Sequence, residues 1–265
     1  MTQQEEERQK DLERLKTLRP MDDDFMRAMF RKNNSLTQLV LRIVMQKPDL
    51  IVKDVRTQND LKRLVGARSL ELDVYATDSD GRKFDIEIQK AWNKVGKKRA
   101  RYHSSCMDID NLNAREEFDK LPDTYVIFIL EKDSKKRGRP FYLIQRVDME
   151  TLEPEDDGQF ILYVNGEYKG DDDFGRLMND FRSSNPDDMY YSEMRKTAHY
   201  LKNTEEGVST MCKQFEDTRR EGEMKHAIET VDRMLVDGIL TNEQIAKYAG
   251  VTLDFVLERA GQKAV

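Results

Sequence analysis

Asp73, Asp85, Glu87 and Gln89 lie in the stretch LELDVYATDSDGRKFDIEIQ, residues 70–89, at odd positions on either side of an Asp/Gly turn. Strand side chains alternate faces, so these positions place three carboxylates and an amide on one face of a hairpin. Like charges gathered this way are costly unless a cation sits among them or their pKa values shift. Acidic oxygens a few ångströms apart on rigid strands suit a hard divalent cation. Asp73 and Glu87 are the expected ligands for one or two Mg²⁺ ions, with the Ile88 carbonyl as a backbone ligand and Mn²⁺ as a substitute metal. Metal held there would polarise a phosphodiester oxygen and lower the pKa of an attacking water. Asp85 reads either as a further ligand or as an edge charge, and Asp78 and Asp80 as turn formers.

Composition leaves little room for other chemistry. The three histidines, His103, His199 and His226, share no motif spacing, and Cys106 and Cys212 lack CxxC spacing. Zinc sites, disulfide frameworks and Ser/His/Asp triads therefore have little material. A net charge of −6 would disfavour a polyanion, but residues 82–101 carry eight basic and two acidic side chains, and both acids belong to the carboxylate set. No apolar run approaches the roughly 20 residues of a membrane span, and the amino terminus has no apolar signal core, so a cytoplasmic protein is expected.

The elements that must position the carboxylates follow from periodicity. Residues 1–19 are densely charged and read as a solvated helix or frayed tail. A helix should start near Asp23, and a second, through Leu36, Leu39, Val40, Ile43 and Val44, should close at Pro48. LIVKDV at 50–55 is a short strand, followed by the hairpin, a basic loop, and a helix from about Lys97 to Leu112. TYVIFIL at 124–130 is a strand covered on both faces, with further strands at 141–148 and 160–168. From about residue 171 helical periodicity takes over, with a long helix over roughly 207–237.

The blocks LRPMDDDFMRAMF, GARSLELDVYATDSDGRKFDIEIQ and RARYHSSCMDIDNL, in that order, resemble the PD-(D/E)XK nuclease family transposases, also called recombination-promoting nuclease/putative transposase proteins. The resemblance implies an α/β fold of the restriction-endonuclease type, a mixed sheet flanked by helices, and Mg²⁺-dependent DNA cleavage linked to mobile elements or recombination. It makes Asp73 the metal-bridging aspartate, Glu87 the second metal carboxylate, and Asp24 an added acidic ligand on the first helix. Gln89 stands where the superfamily pattern has lysine. An amide can orient water but brings no positive charge, so Lys90, Lys98 or Arg101 is expected to supply it. Lys90, Lys97, Lys98, Arg101 and Tyr102 are the expected DNA contacts. Tyr102 reads equally as core packing, and Trp92 as a wedge or a lid.

Three regions result: a charged segment 1–19, a nuclease-like core 20–183, and a helical extension 184–265. In the last, Ala246, Gly250 and Val256 stand at offsets that let two helices pack across a tight turn, and the long helix could join a second subunit. The alternative function is a catalytically silent nucleic-acid-binding or scaffold protein that retains the fold. Convergence of Asp73, Glu87 and Gln89 on one pocket favours the enzyme; capping of the acids by salt bridges favours the alternative.

Overall fold

Residues 3–61, 70–90 and 92–263 are described by the computed structural model. The chain divides into two compact units, Met1–Met211 and Cys212–Val265. The first begins with α1 (Gln3–Thr17), α2 (Asp23–Phe30) and α3 (Asn34–Val44), then β1 (Val52–Asp60), β2 (Glu71–Asp78) and β3 (Lys83–Gln89). There follow α4 (Trp92–Asn111), β4 (Thr124–Leu130), β5 (Phe141–Ile144), β6 (Gln159–Asn165), α5 (Asp173–Arg182) and α6 (Ser192–Asn203). Helix α7 (Glu205–Asp237) contains the division between the units, and α8 (Asn242–Ala249) and α9 (Leu253–Lys263) close the chain.

The six strands form one mixed sheet in the order β1-β2-β3-β4-β6-β5. The β2–β3 hairpin is antiparallel, β3, β4 and β6 run parallel, and β5 returns antiparallel on the outer edge. This is the helix-flanked mixed sheet expected from the sequence. Every residue of β4 is buried, as its unbroken apolar run requires of a central strand covered on both faces. Each such aliphatic or aromatic side chain contributes roughly 1.5–3 kcal/mol by burial.

Several boundaries differ from the expectation. Strand β1 runs on to Asp60 because it pairs along the full length of β2, and β5 stops at Ile144, four residues short of the apolar run's polar end. The α4 segment Trp92–Asn111 is two helical pieces broken at Gly96, where φ 58° and ψ 149° suit a residue without a Cβ; the continuous helix after the break begins at Lys97, as expected, and the basic segment before it holds a short helical turn rather than a loop. The charged amino-terminal segment takes the first of its two expected forms, a helix, which is exposed over 5–10 and packed toward its end. Leu15 and Leu18 are buried, and Lys202 Nζ donates to the carbonyls of Lys16 and Leu18 at 3.1 and 2.6 Å. Residues 66–69 of the GARSLELDVYATD block and the side chain of Trp92 lie outside the described residues.

Asp180 at the end of α5 shows how the helical layer is fixed. Its fully buried carboxylate accepts from the backbone N–H groups of Tyr190 and Tyr191 at 2.7 and 2.9 Å. Asp180→Ala leaves both donors without that acceptor, and urea denaturation should show a loss of about 2–4 kcal/mol. A loss below about half a kcal/mol would mean that water replaces the carboxylate.

In the second unit, Val231, Ile245, Ala246 and Val256 form the core, and Arg259 Nη2 donates to Asp232 Oδ2 at 2.6 Å. Thr241 and Gln244 make a reciprocal cap on α8, and Gly250 ends that helix in the left-handed conformation. The expected packing of two helices across a tight turn is therefore present. No helix among the described residues is long and apolar enough to cross a membrane.

Candidate metal centre

The β2–β3 register sets Tyr75 opposite Asp85 and Val74 opposite Ile86, so Asp73 falls beside Glu87. The backbone N–H of Asp73 donates to Glu87 Oε1 at 3.0 Å. Asp73, Asp85 and Glu87 are 7%, 0% and 1% exposed, so three carboxylates that could have been solvated on an open strand face are instead buried together. The face is closed by α4, whose Ala100 and Met107 pack with Tyr75, Val126, Phe128 and Tyr163.

Two residues of α4 that sequence reasoning passed over complete the site. Arg99 Nη2 donates to Glu87 Oε2 at 3.0 Å, and Arg99 Nε donates to His103 Nε2 at 3.1 Å. His103 Nδ1 lies 2.8 Å from Asp85 Oδ2. A guanidinium can only donate, so Nε2 must accept and the ring proton sits on Nδ1, directed at Asp85. The result is a hydrogen-bonded chain, Asp85–His103–Arg99–Glu87, spanning two neighbouring acids. Residues 99 and 103 are one helical turn apart on the inward face marked by Ala100 and Met107, and that phase was the available signal.

Other expected residues fall into separate groups. Lys97, Lys98 and Arg101 are exposed on the outer side of α4, and Tyr102 is half-buried with its hydroxyl near the Cys106 thiol. Lys90 pairs with Asp22 Oδ1 at 2.6 Å. The cation that reaches Glu87 is thus Arg99. Asp24 is buried and paired with Arg14 at 2.5 Å. Its neighbour Asp23 is bonded to Arg27 at 3.2 Å, and Arg27 reaches Asp73 Oδ1 at 3.5 Å. Gln89, at the end of β3, shares the face of Glu87, and its carbonyl accepts from the N–H of Glu131 at 3.2 Å.

Burial, and then the neighbouring Glu87 charge, push the Asp73 carboxyl well above its usual range. Burial and Asp73 do the same to Asp85. Glu87 is pushed up to about 7 by burial and Asp85, against the pull of His103 and Arg99. Burial lowers His103 to about 4, so the ring is neutral near pH 7. An acid whose folded pKa lies above its unfolded value binds extra protons when folded, so its contribution to stability is full below about 4.5 and is lost as pH rises to about 7. In EDTA, Glu87→Gln should therefore gain stability relative to the wild type across that window, by about 3 kcal/mol. Parallel urea titrations at stepped pH check this, and a difference that does not change with pH would refute it.

Asp85, Glu87 and His103 each offer one ligand atom within 4.8 Å of the others. The buried Asp85 Oδ1 has no hydrogen-bond partner. Crowded carboxylates with elevated pKa values and one orphaned oxygen fit a hard divalent cation. Both nitrogens of His103 are already engaged, which suits the ring to orienting Asp85 more than to binding metal itself.

No curated protein and no solved structure matches the chain. The family model for PD-(D/E)XK nuclease family transposase matches residues 20–165. That span holds the whole sheet, α2, α3 and α4, and all the acidic residues of the centre. A match over more than half of the 265 residues, on the elements that assemble the carboxylates, places this chain in the PD-(D/E)XK nuclease family transposase family.

Proposed function

We propose that the protein is a divalent-metal-dependent endonuclease that hydrolyses DNA phosphodiester bonds in mobile-element or recombination processes. The observation that carries this reading is the side-by-side placement of buried Asp73 and Glu87 on adjacent strands, within a family-matched core. Asp73 and Glu87, with the Ile88 carbonyl, would hold Mg²⁺ or Mn²⁺, and Asp85 Oδ1 lies on the same face for a further contact. The bound ion would supply Lewis-acid activation of water and stabilise charge on the phosphate. Gln89, on the face of Glu87, would orient the attacking water through its amide. Arg99 brings the positive charge that Gln89 lacks, and His103 holds both Arg99 and Asp85 in position. The exposed Lys97, Lys98 and Arg101 offer phosphate contacts that fix the duplex without reading its sequence.

A second reading, a silent nucleic-acid-binding protein, is favoured by the guanidinium groups of Arg27 and Arg99 on Asp73 and Glu87 and by glutamine in the lysine position. Incubating the purified protein with supercoiled plasmid in Mg²⁺, Mn²⁺, Ca²⁺ or EDTA separates the two. Nicked or linear products with Mg²⁺ or Mn²⁺ and none with EDTA support the endonuclease. DNA retained on the protein but uncut in every metal supports the silent alternative.

A further inference from the structure

The loop between β4 and β5 is organised around a single acid. Residues 132–139, KDSKKRGR, carry five cations and one carboxylate. That carboxylate, on Asp133, accepts from the backbone N–H groups of Lys135 and Gly138 at 2.9 and 2.8 Å and from the Tyr142 hydroxyl at 2.9 Å. The N–H of Asp133 donates to Glu167 Oε2 at 3.0 Å, tying the loop to the segment after β6. The N–H of Arg137 donates to the Tyr142 hydroxyl at 3.2 Å. The acid is used internally, while Lys136, Arg137 and Arg139 are exposed.

The loop also stands beside the carboxylates. Parallel β3, β4 and β6 end at one edge of the sheet, where substrates of open α/β sheets gather. Glu131, one residue before the loop, donates its N–H to the Gln89 carbonyl. Lys135 turns back over the Tyr163 ring, 5.5 Å from its centre. Tyr163 is in register with Phe128, and Phe128 with Glu87, so that ring is on the carboxylate face. Two strand spacings, about 10 Å, separate it from Glu87.

From this placement we infer that loop 132–139 is a phosphate clamp for duplex DNA, in which Lys136, Arg137 and Arg139 grip the backbone beside the cleavage site. The inference rests on the endonuclease reading, since it takes Glu87 as the point of cutting. The Asp133 staple orders the backbone before DNA arrives, so less conformational freedom is lost on binding.

Fluorescence anisotropy of a short labelled DNA duplex with the full chain, in EDTA and over a range of KCl concentrations, tests the clamp. The variant Lys136→Gln/Arg137→Gln/Arg139→Gln should bind more weakly, with a log Kd against log salt slope shallower by about three. The charge-keeping variant Lys136→Arg/Arg137→Lys/Arg139→Lys should retain the wild-type slope. An unchanged slope in the triple Gln variant overturns the inference, as does wild-type binding to an RNA duplex but not to DNA. Plasmid cutting is scored separately. A shallower slope with no cutting by the wild type refutes the endonuclease and keeps the loop as a DNA contact; cutting with an unchanged slope does the reverse.

Discussion

Asp73→Asn should lower Mg²⁺-dependent plasmid cleavage by at least about a hundred-fold while making the protein more stable in EDTA by about 1 kcal/mol. The two effects have one cause. Asp73 is buried against Glu87, and both the loss of hydration and the like charge raise the cost of its ionised form. Asparagine keeps the shape and removes that cost, but it also removes a carboxylate that, on the proposed reading, holds the metal. The Arg27 contact, at 3.5 Å, is long and returns little of the cost. Glu87→Gln should lose cleavage to the same extent. The rate of supercoiled-plasmid loss and a urea midpoint, measured on the same preparations, check both halves. A variant that loses activity merely by misfolding would lose stability too, so opposite signs mark a functional site. Undiminished cleavage in either variant would remove these carboxylates from the chemistry.

The part of this site that was legible in the sequence is the part written in strand alternation. A period of two needs only the chain itself to place Asp73, Asp85, Glu87 and Gln89 on one face, and the hairpin register confirms it. Asp78 is likewise local: its carboxylate accepts from the N–H groups of Asp80 and Arg82 at 3.0 Å each, as a turn-forming aspartate does. The central position of β4 followed from its unbroken apolar run.

What lay beyond reach depends on the phase of α4 across the sheet. The basic segment was visible, but which of its cations turns inward is decided by Ala100 and Met107 packing on Phe128 and Tyr163. That packing points Arg99 at Glu87 and leaves Lys98 and Arg101 outside. His103 was passed over because three scattered histidines lack a ligand motif, although its role here is to bridge two residues rather than to follow one. Asp23 and Asp24 pose the same problem on α2. Their neighbours on α1 and β2 determine that Asp24 meets Arg14 while Asp23 joins the Arg27–Asp73 chain.

That bridging role leads to the second large effect. His103→Leu should destabilise the protein by about 1–3 kcal/mol, because Asp85 would keep its burial and lose its Oδ2 partner, with Oδ1 already unpartnered. Asp85→Val, which suits the strand, leaves His103 Nδ1 without an acceptor and should cost about 1–3 kcal/mol. In the double variant neither polar group is left stranded, so the loss should fall short of the sum by about 2 kcal/mol or more. Cleavage should drop about 10- to 100-fold in His103→Leu, since Arg99 and Asp85 both lose the group that orients them. Urea denaturation of the four proteins gives the coupling. Additive losses would mean that Asp85 and His103 act independently, and the ring would then be a packed side chain with no part in aligning the acids.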